Sequence, residues 1–364
     1  MSAKSDIAKT TAKFSRFVLQ KILRRPGGFF PGDLALKIDP ELLVELSSQF
    51  DAGTVLVTGT NGKTSVTNLI ADCMRYEGAE VAWNKTGANL ASGVASAIME
   101  FSPKRRKKKF GVFEVDELWV EKVLPQMKSK FLLLLNLFPD QVDRFGNIGN
   151  IQKSLITALN KSRETVLVYN ADDPNCQVVA DECDNNTIPF GIGEKISKID
   201  DGAETKCPLC EFKLNYQLHQ YAQLGDYRCA NCGFNRAKPK YLTSNIQLGK
   251  DTLQFSVNGK TYVSQKAAEY ACYNLTGFVA LADALGCHND SIDKSIKYQQ
   301  AKNGRMEFFN VTGREVMINL AKNPVGFNQN ISYVLDRYNS DEQPVHTTVA
   351  FFVNAREGDG KNPN

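Results

Sequence analysis

Six consecutive residues, Gly59-Thr60-Asn61-Gly62-Lys63-Thr64, have the types and the order of a loop that binds phosphate. Glycines let backbone N–H groups approach phosphate oxygens closely, and the N-terminus of the following helix adds positive potential. In such a loop Lys63 would reach the β- and γ-phosphates, and the Thr64 hydroxyl would ligate Mg²⁺. The standard pattern has a further glycine where this chain has Val57, so the sequence predicts the shorter GxxGK[TS] variant.

An acidic cluster, Glu114-Val115-Asp116-Glu117, directly follows an apolar segment that is typical of a strand. Residues after the C-terminal end of a strand face the ligand crevice of an open α/β sheet. A phosphate loop needs a second ligand for Mg²⁺, and Glu114 or Glu117 is predicted to supply it. The alternative is that the cluster caps the next helix. Asp140-Gln141-Val142-Asp143-Arg144, after the next strand, is open to the same two interpretations.

Four of the nine cysteines form the pattern C-x2-C-x18-C-x2-C, at Cys207, Cys210, Cys229 and Cys232. Each C-x2-C pair presents two thiolates to one tetrahedral ion, and the long spacer lets the two hairpins face each other. Because all four ligands are sulfur, no open coordination position is implied, and the pattern predicts one structural Zn²⁺. The small core of this ribbon is predicted to be aromatic, formed by Tyr216, Tyr221, Tyr227 and Phe234.

The composition is that of an ordinary globular protein with room for two domains: 364 residues, 42% of them hydrophobic and 23% charged, with a net charge of +4. Much of the positive excess lies at 104–109. We interpret this run as a solvated loop, the less favoured alternative being a patch for nucleic acid or membrane. The net charge is too small to indicate a nucleic-acid partner.

Several observations favour a cytoplasmic protein. No apolar run approaches the roughly 20 residues that span a bilayer. The segment 14–23 is interrupted by Arg16, Gln20 and Lys21, so it does not resemble the core of a signal peptide. Cysteines without a secretory signal indicate a reducing compartment. The same segment is predicted to be a short amphipathic helix that packs on the protein rather than on lipid.

Hydrophobic periodicity predicts an α/β fold. Residues 1–50 indicate a helix, a Pro/Gly-rich turn and a second short helix near 40–50. Strands and helices then alternate, which predicts a mostly parallel sheet with helices on both faces. The predicted strands are 54–58, 80–84, 110–115, 131–136 and 165–170, and the predicted helices are 63–77, 93–100, 118–126 and 151–160. The strands are nearly all apolar, as expected of strands buried on both faces.

The pattern changes near residue 200 to short strands around the cysteines, and helices are predicted again at 267–285 and 290–299. We therefore predict three parts. They are an N-terminal helical segment at 1–50, an ATP-binding domain at 51–300 with the ribbon inserted at about 203–245, and a partial C-terminal domain at 301–364. In the last part, strands are predicted at 315–320 and 347–353 and a helix at 328–338, too few elements for a closed Rossmann-like domain.

Along nearly its whole length the chain resembles the Mur ligase superfamily, the ATP-dependent peptide-bond-forming enzymes of peptidoglycan synthesis. Besides the phosphate loop and the acidic cluster, the likeness rests on Thr86-Gly-Ala-Asn89-Leu, Asn136-Leu-Phe-Pro-Asp-Gln-Val-Asp-Arg144, Asn170-Ala-Asp-Asp-Pro174, Tyr273-Asn274, Gly304-Arg305-Met-Glu307 and Lys322-Asn-Pro-Val-Gly-Phe-Asn-Gln329. Within the superfamily, the inserted ribbon resembles the MurT branch, the ligase-like subunits of lipid II isoglutaminyl synthases. Gln141 also resembles that branch, since many Mur ligases have a metal-binding histidine there.

The resemblance implies a set of site residues. The loop residues are implied to contact phosphate. Arg305, in the linker to the next domain, is implied to reach phosphate as well. Asp173 and Asn274 are implied to lie near the nucleotide. The implied nucleotide-binding set is Gly59, Thr60, Asn61, Gly62, Lys63, Thr64, Ser65, Asp173, Asn274 and Arg305. The implied cofactors are ATP and Mg²⁺, beside the structural Zn²⁺.

The resemblance also implies a reaction and a partner. MurT-like subunits pair with GatD-like glutaminase subunits, which release ammonia from glutamine. The ligase subunit activates the α-carboxylate of the D-glutamate in lipid II as an acyl phosphate, which ammonia then attacks. This implies a heterodimer that acts at the inner face of the membrane.

The C-terminal stretch departs from the family pattern. Family members extend beyond it and have a D-G-x-D-like stretch whose last aspartate is thought to complete the catalytic triad of the glutaminase. Here Asp359-Gly-Lys-Asn362 aligns with that stretch, so Asn362 takes the place of the aspartate. An amide does not hold a histidine as an anionic carboxylate does, so we expect weak glutamine-dependent activity from this chain.

Two other functions are compatible with the sequence. The first is a stand-alone ligase that adds an amino acid to a carboxylate, as folylpolyglutamate synthases do. The ribbon and Gln141 disfavour it, and turnover of ATP driven by an amino acid without glutamine would support it. The second is a truncated, inactive scaffold that binds nucleotide and a partner, which the short C-terminal part favours.

Overall fold

A computed structural model describes residues 3–22, 24, 28–85, 87–103, 107–138, 148–196, 204–249, 252–265, 271–299, 307–321, 323–338 and 348–350. Its centre is a nine-stranded sheet with the strand order β11-β10-β9-β6-β5-β4-β1-β3-β2. The strands are β1 (Gly53–Thr58), β2 (Glu80–Trp83), β3 (Lys109–Glu114), β4 (Phe131–Leu134), β5 (Val166–Asn170), β6 (Thr187–Ile192), β9 (Tyr241–Leu248), β10 (Thr252–Val257) and β11 (Lys260–Gln265). Neighbouring strands from β2 to β9 pair in parallel, and β9, β10 and β11 pair antiparallel.

Helices cover both faces of the sheet. They are α1 (Ala3–Phe17) with a π-helical turn (Val18–Ile22), α2 (Phe30–Ile38), α3 (Leu42–Ser47), α4 (Lys63–Tyr76), α5 (Ala91–Glu100), α6 (Val120–Met127), α7 (Ile148–Asn160), α8 (Pro174–Glu182), α9 (Ala271–Ala284) and α10 (Asn289–Lys297). Alternate residues of β1 divide between two cores: Val55 and Val57 pack with α4 and α9, and Leu56 packs on the face that α2, α5 and α6 cover. The predicted α/β fold with a mostly parallel sheet is confirmed.

Two smaller units complete the described chain. The ribbon is an antiparallel pair, β7 (Leu214–His219) and β8 (Gly225–Cys229), and its core includes Val178 of α8. The C-terminal unit has a hairpin, β12 (Glu307–Val311) and β13 (Arg314–Ile318), followed by α11 (Pro324–Tyr338). The strand predicted at 347–353 falls mostly outside the described residues.

Several elements were not predicted: α2, α8, β6, the antiparallel strands β9 to β11, and β12. The ribbon core also differs from the prediction in one residue. Tyr227, Phe234 and Tyr216 belong to it, but Tyr221 packs in the main core, where its ring lies 6.3 Å from that of Phe138 and 6.0 Å from that of Tyr273. The loop that carries Tyr221 therefore packs against the core of the central sheet rather than in the ribbon.

Candidate functional site

The phosphate loop lies between the C-terminal end of β1 and the start of α4, in the middle of the sheet. Gly62 is in the left-handed region with φ +90°. A Cβ atom at Gly62 would also lie 2.1 Å from Asn274 Oδ1, so only glycine fits there. This contact brings Asn274, predicted to lie near the nucleotide, directly against the loop.

Asn136, which follows β4, holds the loop in shape. The Asn61 backbone N–H donates to Asn136 Oδ1 (2.8 Å), and Asn136 Nδ2 donates to the Asn61 carbonyl (3.1 Å). The Thr60 N–H donates to the Asn136 carbonyl (3.0 Å). No role was predicted for Asn136, although an amide side chain at the end of a central strand was the available signal.

Lys63 is directed back into its own loop. Its ammonium group contacts the Gly59 carbonyl and lies 3.4 Å from both the Thr60 carbonyl and Glu117 Oε2. The side chains of Lys63 and Glu117 are only 13% and 11% exposed, so this ion pair is poorly screened by solvent. Glu117 therefore acts as a counter-ion of the loop lysine.

Glu114, at the end of β3, is buried. A Cβ atom built on Gly87 would lie 3.3 Å from Glu114 Oε1 and 3.5 Å from Thr64 Oγ1, so these two oxygens border the same small space. Asn84 fixes this end of the strand by accepting from the Glu114 N–H (2.9 Å) and donating to the Glu114 carbonyl (2.8 Å). A carboxylate and a hydroxyl are a suitable donor set for Mg²⁺.

No residue of the acidic cluster caps α6, since the N-cap residue is Trp119 and no side chain caps the helix. The Asp116 carboxylate accepts instead from the Leu118 N–H (3.2 Å), in the turn that precedes the helix. Asp116 serves the chain that leads into α6, whereas Glu114 and Glu117 face the phosphate loop.

Asp173 is fully buried and caps α8. Its carboxylate accepts from the N–H groups of Leu137 (2.7 Å) and Asn175 (2.9 Å) and from Gln223 Nε2 (3.3 Å). Burial raises the pKa of Asp173 to about 6, against the lowering effect of these donors. In this structure the carboxylate ties the segment after β4 to α8, and its contact with nucleotide stays a prediction.

The ribbon cysteines converge as predicted. The Sγ atoms of Cys207, Cys210, Cys229 and Cys232 all lie within 4.8 Å of one another. Cys207 and Cys232 are 3.6 Å apart at sulfur, and Cys210 and Cys229 are 3.5 Å apart. Zn–S bonds of about 2.3 Å in a tetrahedron place sulfurs about 3.8 Å apart, so the residues fit a Zn²⁺ ion.

Both cysteine pairs have the same backbone turn, which explains why their thiolates point to one centre. The Cys207 N–H donates to the Phe212 carbonyl and the Cys229 N–H to the Phe234 carbonyl, each at 2.7 Å. Further N–H donors close each turn on the Cys207 and Cys229 carbonyls. The repeated turn thus directs both pairs of thiolates to one centre.

A buried ion pair joins the ribbon to the nucleotide region. Arg236, just after the last ribbon cysteine, places Nε 2.8 Å from Asp172 Oδ1, and its side chain is 6% exposed. Asp172 Oδ2 accepts from the Tyr273 hydroxyl (2.8 Å), the neighbour of Asn274. Burial raises the pKa of Asp172 to about 6, and Arg236 opposes that shift. Neither Asp172 nor Arg236 was assigned a role from the sequence, because only the fold brings them together.

We expect Arg236→Met to lower the free energy of unfolding by about 3–5 kcal/mol, because it leaves the Asp172 carboxylate buried without its cation. Arg163→Met is the matched control: the Arg163–Asp184 pair is exposed (69% and 55%) and should contribute about 0–1 kcal/mol. Urea denaturation of both variants measures the difference, and adding Asp172→Asn to Arg236→Met should recover part of the loss. Equal effects of the two arginine substitutions would contradict this assignment.

Arg305 and Asn362 lie outside the described residues, as does the segment 139–147 with Gln141. The C-terminal unit nevertheless contacts the site. Asn323 Nδ2 donates to Asn61 Oδ1 (3.0 Å), and Asn61 Nδ2 is 3.4 Å from Asn323 Oδ1. Among the described residues, no helix is both long enough and apolar enough to cross a membrane.

Comparison with known proteins gives a consistent result. Residues 57–232 match the model of the Mur ligase middle domain. The lipid II isoglutaminyl synthase (glutamine-hydrolyzing) subunit MurT of Staphylococcus aureus is 32% identical, over 90% of this chain and 72% of that protein. The subunit of the same name from Streptococcus pneumoniae is 29% identical, over 99% of this chain and 79% of that protein.

A solved structure supports the same fold. A pseudomurein peptide ligase type C from Methanothermus fervidus superposes with a TM-score of 0.64 at 22% identity, over 80% of this chain. The present chain spans 57% of that ligase. From the sequence likeness to the staphylococcal subunit over most of both chains, together with the middle-domain match and this fold, the chain belongs to the MurT family of the Mur ligase superfamily.

Proposed function

We propose that this protein is the ATP-dependent ligase subunit of a lipid II isoglutaminyl synthase, with a GatD-like glutaminase as its partner. The observation that carries the proposal is the convergence of Lys63, Thr64, Glu114 and Glu117 around one loop at the carboxyl edge of the sheet. The names of the relatives supply the substrate class, a lipid-linked peptidoglycan precursor, and glutamine as the nitrogen source.

Each site residue has a role in this proposal. When ATP binds, the ammonium group of Lys63 moves from the loop carbonyls and Glu117 to the β- and γ-phosphates. Its positive charge stabilises the negative charge that shifts between these phosphates during transfer. Thr64 and Glu114 would hold Mg²⁺, which would supply positive charge to the phosphate oxygens. Asn274 and Asn136 keep the loop in its phosphate-binding shape. Helix α4 begins at Lys63, so its first N–H groups also face the phosphates.

The proposed reaction has two steps. A carboxylate oxygen of the D-glutamate residue attacks the γ-phosphorus of ATP, ADP leaves, and an acyl phosphate forms. The lone pair of ammonia then attacks the acyl carbon, the nitrogen loses a proton, and inorganic phosphate leaves with the bonding electrons of the former C–O bond. Phosphorylation is needed because a carboxylate is a poor electrophile, whereas the mixed anhydride has a good leaving group.

This function places the protein in the cytoplasm, at the inner face of the membrane, where lipid-linked precursors are available. The ribbon would supply rigidity rather than chemistry, since its four sulfurs leave no open position on a tetrahedral ion. Among the described residues, no particular contact favours the alternative function, a stand-alone amino-acid ligase.

We expect ATP- and ammonium-dependent amidation of lipid II, measured by mass spectrometry of the muropeptide. Glutamine should replace ammonium only beside a GatD-like subunit, and then weakly, because Asn362 does not supply a carboxylate. Asn362→Asp should raise glutamine-dependent turnover without changing ammonium-dependent turnover. Glu114→Gln should abolish both.

Three outcomes would count against the proposal. Amidation that is absent with saturating ammonium in the two-subunit complex would refute the ligase assignment. ATP hydrolysis driven by an amino acid, without ammonium, would favour the stand-alone ligase. Robust turnover with glutamine before the Asn362→Asp change would refute the argument about the triad while leaving the ligase assignment standing.

A further inference from the structure

Helix α1 has its small residues inside and its large apolar residues outside. Ala8 and Ala12 are buried against the protein, at 0% and 2% exposure. Ile7, Phe14 and Phe17 are 59%, 68% and 56% exposed. Helical residues three or seven positions apart share a face, so these three side chains form one outward apolar stripe. A helix that only packed on the domain would have the opposite arrangement.

The orientation of α1 is fixed by polar contacts on its inner side. Ser5 Oγ donates to the buried Asp39 carboxylate (2.5 Å). Lys9 pairs with Glu45 of α3, and Arg16 pairs with Glu100 of α5. Because these contacts are spread over three turns of the helix, α1 does not rotate to bury its aromatic residues. The outward stripe is therefore a lasting feature of the folded surface.

Further exposed apolar side chains follow α1 in the chain, and exposed basic residues lie among them in the sequence. Three more large apolar side chains are exposed in the next segment: Ile22 at 64%, Phe29 at 58% and Phe30 at 49%. The exposed charged residues between 4 and 24 are Lys4, Asp6, Lys13, Lys21 and Arg24, four cations against one anion. Exposed phenylalanines with neighbouring lysines and arginines are typical of surfaces that bind the headgroup region of anionic membranes.

We propose that the surface formed by α1 together with the exposed residues Ile22, Phe29 and Phe30 docks on an anionic lipid bilayer. The apolar side chains enter the boundary between headgroups and acyl chains, and the basic residues contact lipid phosphates. The charge distribution decides against a second copy of the chain, because a symmetric contact would bring the same four cations face to face. The proposal deepens the proposed function, which needs access to a lipid-linked substrate, but it rests on this surface alone.

The test is cosedimentation of the full chain with vesicles of phosphatidylglycerol and phosphatidylcholine, and with vesicles of phosphatidylcholine alone. We expect binding to the anionic vesicles, weakened by high salt, and at least tenfold weaker partitioning for Phe14→Ser/Phe17→Ser. Lys13→Glu/Lys21→Glu should weaken anionic binding to a similar extent. The control is Tyr76→Ser/Tyr298→Ser, which removes aromatic rings of 47% and 60% exposure elsewhere on the surface and should leave partitioning unchanged.

Circular dichroism and ATP binding verify that each variant is folded. Unchanged vesicle binding by Phe14→Ser/Phe17→Ser would overturn the proposal, as would equal binding to neutral and anionic vesicles. A concentration-dependent dimer that this variant abolishes, without vesicle binding by the original protein, would assign the surface to a second copy. These readouts do not use amidation, so a failed amidation assay with intact lipid binding would refute only the proposed function.

Discussion

Replacing Lys63 by alanine is expected to weaken ATP binding by about 10- to 150-fold, which corresponds to about 1.5–3 kcal/mol for charge-assisted contacts. Lys63 is the only cation in the phosphate loop. In the structure its ammonium group lies against loop carbonyls and Glu117, within reach of bound phosphates. Calorimetric titration with Mg²⁺ and ATP measures the change. Lys161→Ala, at an exposed ion pair between the residue after α7 and Glu121 of α6, is the matched control and should bind ATP normally.

The fold should survive this substitution, but Glu117 would lose its cation in a poorly exposed position. We therefore expect some loss of thermal stability in Lys63→Ala, which Lys63→Ala/Glu117→Gln should recover. ATP binding should stay weak in the double variant, because the missing phosphate contact is not restored. A folded Lys63→Ala protein with unchanged ATP affinity would show that the loop does not bind phosphate.

Removal of zinc is expected to unfold the ribbon while the sheet stays folded. Four thiolates in a structural site bind Zn²⁺ with about 10–16 kcal/mol at neutral pH, whereas the apolar core of the ribbon consists of a few side chains around Tyr227 and Phe234. The purified protein should contain one equivalent of zinc by elemental analysis. Chelation should then raise amide hydrogen exchange across 205–236 and leave exchange in β1 and β4 unchanged.

Cys210→Ala should reproduce the effect of chelation, and Cys183→Ala is its control, since Cys183 is a half-buried cysteine outside the ribbon. Chelation should also reduce ATP affinity, because Arg236 and Asp172 connect the ribbon to Tyr273 and hence to Asn274 at the loop. Protein with its four cysteines intact but less than about half an equivalent of metal would contradict the zinc assignment.

The parallel part of the sheet was predictable from the sequence because β1, β3 and β4 are buried almost throughout and hence mostly apolar. Helix α2 was missed because Pro31 and Gly32 at its start look like part of a turn. In the structure, a Cβ atom on Gly32 would lie 1.9 Å from the Ser92 carbonyl, so this glycine permits close packing against α5. Glycine is typical of turns, but at position 32 it is needed because α2 and α5 pack closely. The sequence alone does not distinguish these two reasons.

The candidate site divides in the same way. Lys63, Thr64 and the four cysteines were identified because their chemistry depends on spacing along the chain. Asn136 and Asn84 were not, since their roles depend on strands that meet only in the folded sheet. The inverted polarity of α1 likewise became visible only when its buried face was known, because the sequence shows an amphipathic pattern but not which side is covered.

The amide pair between Asn61 and Asn323 has a consequence for how the protein responds to a charged ligand. Both side chains are neutral at every physiological pH, so their mutual hydrogen bonds are indifferent to protonation and almost indifferent to salt. When a polyanion enters the loop, ion pairs such as Lys63–Glu117 must exchange partners, whereas this pair has no charge to rearrange. This contact between the C-terminal unit and the loop therefore carries no net charge, and neither a change of pH nor the loss of the Lys63–Glu117 ion pair alters the charge of either partner.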